Sequence, residues 1–176
     1  MIKVKRGLRL PITGAPIKMI YDAKPSMTVG VNGPDYVGMK PSFLVRPGDT
    51  VKVGQPLFTC KKNEGLVFTA PAAGKVKDIA RGEKRVFQTL TIEVARSQEH
   101  QAFKSYQGRG SGVEADAARA LLVESGMWTC LRERPYDKVA TVGSELPRDL
   151  FVSIADTNPL AVNPDVIIKQ HEEEFK

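Results

Sequence analysis

Val45-Arg46-Pro47-Gly48-Asp49-Thr50-Val51-Lys52-Val53-Gly54-Gln55-Pro56-Leu57, followed by Ala70-Pro71-Ala72-Ala73-Gly74-Lys75-Val76, decides the fold. Pro47 and Gly48 stand where a type II turn takes a fixed φ and then a positive one. Ser42–Val45 enters that turn and Thr50–Val53 leaves it, each with the β-branched and aromatic content of a short strand. Gly54-Gln55 separates a further strand, Pro56–Thr59. Lys62-Asn63-Glu64-Gly65 reads as a second turn, leading to Leu66–Thr69, and Ala70–Gly74 breaks the chain before Lys75–Ile79. A hairpin around Arg81-Gly82-Glu83-Lys84 delivers the clearest strand, in which Val86, Leu90, Ile92 and Val94 alternate with Phe87, Thr89, Thr91 and Glu93. Residues 28–96 therefore read as β throughout. Many short strands punctuated by glycine and proline predict a small sandwich or barrel.

The composition changes beyond residue 96. Residues 97–110 are polar and loop-like, and Ser111-Gly112-Val113-Glu114 has the form of a capping box. The helix it opens runs through Ala117, Ala120 and Leu121 to a glycine stop at Gly126. Met127–Leu131 reads as a further helical turn, with Trp128 as the core anchor of its helix, and Arg134-Pro135-Tyr136 ends it. Leu150–Ala155 then predicts a short buried strand and Asp156-Thr157-Asn158-Pro159 the loop at its C-terminal end. Asn163-Pro164 suits a helix start, with Ile167, Ile168, His171 and Phe175 on one face. One strand and one helix cannot bury their own apolar faces, since a parallel sheet needs more strands. The expectation is an α/β domain of which only the first part is present.

Charge divides at the same place. Residues 1–96 carry 17 Lys and Arg against 7 Asp and Glu, whereas residues 97–176 carry 9 against 13. A basic first half suits an acidic partner or an anionic surface. Few aromatics interleave with its cations, so there is no stacking platform for nucleic acid. No run of about 18 apolar residues marks a membrane span. Cys60 and Cys130 are single and far apart, which fits a reducing compartment, and His100 and His171 make no metal-ligand spacing.

The two half-motifs quoted first resemble the hammerhead, or barrel-sandwich hybrid, fold of biotinyl and lipoyl carrier domains. Carriers present an arm-bearing lysine at an exposed hairpin tip. Here that hairpin reads Thr59-Cys60-Lys61-Lys62-Asn63-Glu64-Gly65, without the biotin motif, so covalent attachment at Lys61 or Lys62 is disfavoured. Gly108-x-Gly110-x-Gly112 lacks both the GxGxxG spacing and a strand before it, and reads as linker rather than a dinucleotide loop. Cys60 stands among lysines but reads as a strand cysteine without a chemical role. Asp156, Thr157 and Asn158 form the one polar cluster where α/β sheets bind ligands, at a strand's C-terminal end. No catalytic constellation and no metal site is expected.

Taken together, Gly7-Leu8-x-Leu10-Pro11-Ile12-x-Gly14-x-Pro16, Asp35–Pro41, Phe68-Thr69-Ala70-Pro71, Ser125-Gly126-Met127-Trp128, Arg132-x-Arg134-Pro135 and Asp156–Ala161 resemble the A subunits of bacterial sodium-translocating NADH:quinone reductases. The resemblance covers essentially the whole chain. It implies a hybrid domain at 28–96 inserted into an α/β domain formed by 1–27 with 97–176, the latter akin to the flavin-binding subunit of respiratory complex I. It implies a peripheral subunit without a transmembrane segment on the cytoplasmic face of the bacterial inner membrane. There it would meet the other subunits of the six-subunit reductase and contribute to assembly and ubiquinone binding, with Asp156, Thr157 and Asn158 as candidate quinone contacts. Ubiquinone would be a substrate of the whole complex, with no covalent cofactor on this chain and no nucleic-acid partner. Two alternatives stand beside it, a biotinyl- or lipoyl-type carrier and an Rnf-type electron-transport subunit. The Rnf C subunit shares the hybrid fold but carries iron–sulfur cysteine motifs, and none appear here.

Overall fold

The computed structural model describes residues 12–106, 108, 114–143, 149–154, 156 and 158–175. The chain divides into two units, residues 25–145 and residues 1–24 with 146–176.

In the first unit, β1 (Thr28–Asn32), β7 (Phe87–Val94), β6 (Gly74–Arg81) and β3 (Thr50–Val51) form one antiparallel sheet, in that order. A second antiparallel sheet orders β2 (Pro41–Phe43), β4 (Pro56–Cys60) and β5 (Asn63–Thr69). The expected Pro47-Gly48 turn is present. Gly48 has φ +99°, the Asp49 amide donates to the Arg46 carbonyl at 3.1 Å, and Asp49 Oδ2 accepts from the Arg46 amide at 2.8 Å. Lys52–Gln55 repeats the device, with Gly54 at φ +81° and Gln55 Oε1 accepting from the Lys52 amide at 3.0 Å. Two turns of one design, six residues apart, turn the chain at either end of β3; this is the local basis of the barrel-sandwich hybrid.

The core lies within this unit. Val51, Leu57, Phe58, Val76, Leu90 and Ile92 are at most 1% exposed. At roughly 2 kcal/mol each, such side chains supply much of the drive to fold. The Phe58 ring stacks on Phe68 at 4.6 Å, and Phe43 and Phe87 meet Phe58 at 5.4 and 5.3 Å. Gly74 sits where β6 presses against β7: a Cβ there would lie 2.0 Å from the Glu93 carbonyl oxygen.

Two local readings are corrected. The β4–β5 turn is Lys61-Lys62, with Cys60 opposite Asn63, so Asn63 opens a strand instead of sitting inside a turn. Val86 is 56% exposed and Phe87 is buried, the reverse of the expected alternation. Ala80 pairs with Thr89 but Arg81 with Phe87, so Gln88 is an extra residue in β7. This bulge flips the parity of everything before it.

From the stretch beyond β7, Val123, Trp128, Leu131, Val139, Ala140 and Val142 pack on the same core. The Val53 amide donates to the Glu99 carbonyl and the Gln101 amide to the Val53 carbonyl, both at 2.8 Å. Helix α1 (Ala115–Glu124) follows, then Gly126 at φ +79° as the expected stop and a 3-10 turn over Met127–Cys130. Ser111 of the capping box lies outside the described residues, as do Gly110 and Gly112. Trp128 is buried within the barrel's core cluster, and a small hairpin, β8 (Arg132–Glu133) with β9 (Lys138–Val139), comes next.

In the second unit, the strand expected over 150–155 is absent among the described residues. Leu150, Phe151, Val152 and Ile154 are 68, 91, 80 and 53% exposed. An apolar run becomes a strand only beside a neighbour that takes its backbone hydrogen bonds, and no described residue provides one. Asn163 Oδ1 accepts from the Asp165 amide at 3.0 Å at the start of α2 (Asp165–Ile168). The single expected helix is instead two turns, α2 and α3 (Glu172–Phe175), separated at Lys169-Gln170-His171. No helix among the described residues is long and apolar enough to cross a membrane.

Candidate functional site

The connection from β1 to β2 builds the site. The Gly33 amide donates to the Gln88 carbonyl at 2.7 Å, the Tyr36 amide to Gly33 at 3.1 Å and the Met39 amide to Tyr36 at 3.1 Å. These turns, with Gly38 at φ +74°, set the Tyr36 ring edge-on against Phe68 at 4.7 Å. The Arg132 guanidinium lies over the same ring, 5.0 Å from its centroid, and Nη1 donates to the Asp35 and Asp137 carbonyls at 3.1 and 3.3 Å. Burial pushes the Tyr36 hydroxyl above the usual tyrosine range; the Arg132 charge opposes this, and a hydrogen bond with the Thr129 side chain opposes it more weakly. The hydroxyl is therefore protonated at neutral pH and can donate.

Tyr36 and Phe68 line two cavities. One, of about 230 Å³, has Met39, Leu66 and Val139 as apolar wall, with Lys62, Lys138 and Asn63 among its polar groups. No carboxylate stands among its described lining residues. The other, of about 320 Å³, meets Asn32, Asp35, Thr69, Met127 and Thr129.

The wall carrying Lys138 and Val139 is held by one asparagine. Asn63 Nδ2 donates to the Ala140 carbonyl at 3.0 Å, and Asn63 Oδ1 accepts from the Val142 amide at 2.9 Å. Trp128 Nε1 donates to that same Ala140 carbonyl at 2.8 Å. Thr69 Oγ1 donates to the Ser125 carbonyl at 2.9 Å, closing the other end of β5 onto the helix stop. Such a pocket, with an apolar wall, two aromatic rings and lysines among its lining residues, suits a flat ring bearing hydrogen-bond acceptors. Among the described residues no cluster of His, Cys, Asp or Glu could hold a metal ion.

Of the candidates from sequence, Asp156 and Asn158 belong to the second unit. Asp156 and Asn158 are exposed, and Asp156 Oδ1 accepts from the Asn158 amide at 2.9 Å, a local turn bond; Thr157 lies outside the described residues. Lys61 and Lys62 form the hairpin tip, Lys62 at the edge of the smaller cavity and the buried Cys60 in its wall. Sequence reasoning passed over Tyr36, Met39, Arg132 and Lys138. The available signal was an aromatic residue between turn formers in Asp35-Tyr36-Val37-Gly38.

Residues 2–95 match the model of the NqrA N-terminal barrel-sandwich hybrid domain, and residues 113–176 match that of the NqrA second alpha/beta domain. The chain belongs to the NqrA family. The NqrA hybrid domain thus supplies Tyr36, Lys62, Asn63 and Phe68, while Arg132, Lys138 and Val139 fall in the range of the second NqrA domain. Curated relatives named as A subunits of the Na(+)-translocating NADH-quinone reductase include those of Alcanivorax borkumensis, Neisseria meningitidis serogroup B and Vibrio campbellii. They are 51, 48 and 47% identical, over 100, 100 and 99% of this chain. The chain spans 39% of the length of each.

Proposed function

We propose that this chain acts as part of the A subunit of a sodium-translocating NADH:quinone reductase, and that the smaller Tyr36 cavity receives the ubiquinone ring. The observation that carries the quinone reading is the pairing of Tyr36 and Phe68 with Lys62 and Lys138 around one pocket. A quinone is flat and apolar with a carbonyl oxygen at each end. Phe68 and Tyr36 match its ring, while the lysine side chains can donate to its oxygens. Lysine charge beside the ring would favour it as it gains negative charge on reduction. The chain binds and orients the ring, the electrons come from other subunits, and no covalent cofactor is required here. Its place is peripheral, on the cytoplasmic face of the membrane complex, held by contacts with the other subunits. The carrier reading draws no support from the tip. An arm-bearing hairpin must swing free, whereas Asn63 sews this one to Ala140 and Val142.

Steady-state kinetics of the assembled reductase test the reading. Tyr36→Ala is expected to raise the KM for ubiquinone about tenfold, from the loss of a ring contact. NADH oxidation by an artificial acceptor should hold steady. An unchanged KM would refute the assignment.

A further inference from the structure

We propose that the β6–β7 tip docks on the headgroups of anionic membrane phospholipids. The tip reads Arg81-Gly82-Glu83-Lys84-Arg85-Val86, three cations against one carboxylate, and every residue but Gly82 is exposed. Lys84 and Arg85 hold φ of +52° and +60°, successive left-handed positions that glycine would occupy without strain. Side chains kept at such positions cost backbone energy, which points to a use for the side chains themselves. Val86, next in the chain, is turned outward by the Gln88 bulge, although a regular strand would have buried it. Bulges re-aim side chains in this way where a surface is functional.

The tip is also preset. The Gly82 amide donates to the Val86 carbonyl at 2.8 Å, and the Arg85 and Val86 amides donate to Gly82 and Glu83 at 3.1 Å each. The Arg81 guanidinium rests 5.2 Å from the Phe43 ring centroid, and Leu44, which follows Phe43, is 58% exposed. A surface already ordered loses little entropy on docking. Cations beside an outward apolar side chain match the boundary of an anionic bilayer. Ammonium and guanidinium groups meet phosphate there, and the apolar group enters the acyl boundary. An acidic polypeptide would satisfy the cations and leave Val86 in water. The proposal stands independently of the quinone site.

Co-sedimentation of the 176-residue chain with vesicles tests it at low salt. Vesicles of one part phosphatidylglycerol to two parts phosphatidylcholine should bind the chain, and pure phosphatidylcholine should not. Lys84→Gly/Arg85→Gly removes two cations while relaxing the backbone, so its loss of binding is not a folding defect. At about fivefold per cation the expected loss is about 25-fold. Val86→Ser should weaken binding with all cations kept. Lys75→Gln/Lys77→Gln removes two exposed cations of β6 outside the tip and should leave binding within about twofold. An equal loss in that control would assign the effect to diffuse charge and overturn the proposal. Tip-dependent binding to polyglutamate without vesicle binding would overturn it in favour of an acidic polypeptide.

Discussion

Replacing Asn63 by alanine should loosen the wall of the Tyr36 cavity. The substitution deletes two hydrogen bonds, from Asn63 Nδ2 to the Ala140 carbonyl and from the Val142 amide to Asn63 Oδ1. Each is worth about 1 kcal/mol net, and the Val142 amide is then left in a half-buried place, adding up to about 1 kcal/mol. The Ala140 carbonyl keeps Trp128 Nε1 as a partner, so no second orphan is created. The sum is about 2–3 kcal/mol, or a fall in Tm of about 10 °C for a unit of this size. Thermal unfolding followed by Trp128 fluorescence reads the stability, and hydrogen exchange at Val142 reads the wall. Asn63→Asp keeps the acceptor for Val142 but sets a carboxylate oxygen against the Ala140 carbonyl. It should preserve Val142 protection better than alanine does. Trp128→Phe, its unfolding followed by circular dichroism because the chain has no other tryptophan, should couple to Asn63→Ala, because both side chains donate to one carbonyl. Asn63→Ala with a loss under about 0.5 kcal/mol and full Val142 protection would refute the role given to this residue.

Gly74→Ala should be far harsher, because its Cβ would lie 2.0 Å from a strand carbonyl that cannot retreat without breaking the β6–β7 pairing. A loss of about 3 kcal/mol or more is expected, read as a lowered urea midpoint. Glu124 accepts from the Lys104 and Ser105 amides at 2.9 and 2.8 Å, and these bonds hold its carboxyl below the usual glutamate range. A lowered folded pKa gives support that is present above the ordinary glutamate value and lost as pH falls through the folded one. Protection of the Lys104 and Ser105 amides, taken relative to the intrinsic exchange rate at each pH, should therefore fall on acidification, and Glu124→Gln should remove that pH dependence.

The barrel was legible because its turns are written locally. Proline and glycine at 47 and 48, and glycine at 54, state the backbone angles they require. Leu90 and Ile92 were likewise readable from their alternation. Val86 and Phe87 were not, since a bulge depends on how two strands settle against each other and leaves no mark in one strand. Asn63 shows the same gap at longer range. As a residue type it signals a turn, yet its side chain is used 77 and 79 positions away at Ala140 and Val142. The Tyr36 cavity draws its walls from three separated segments, so no local pattern announces it. The run Leu150–Ile154 has the composition of a buried strand, but composition cannot supply the neighbour that a strand needs.

Methyl NMR of the chain titrated with a short-chain ubiquinone tests the central claim most directly. Saturable shifts are expected at Met39, Leu66 and Val139, and they should vanish in Tyr36→Ala while the remaining methyl spectrum stays native. Shifts confined to Val152, Ile154 and the neighbouring loop, or no shift at Met39 and Val139 at saturating quinone, would contradict it.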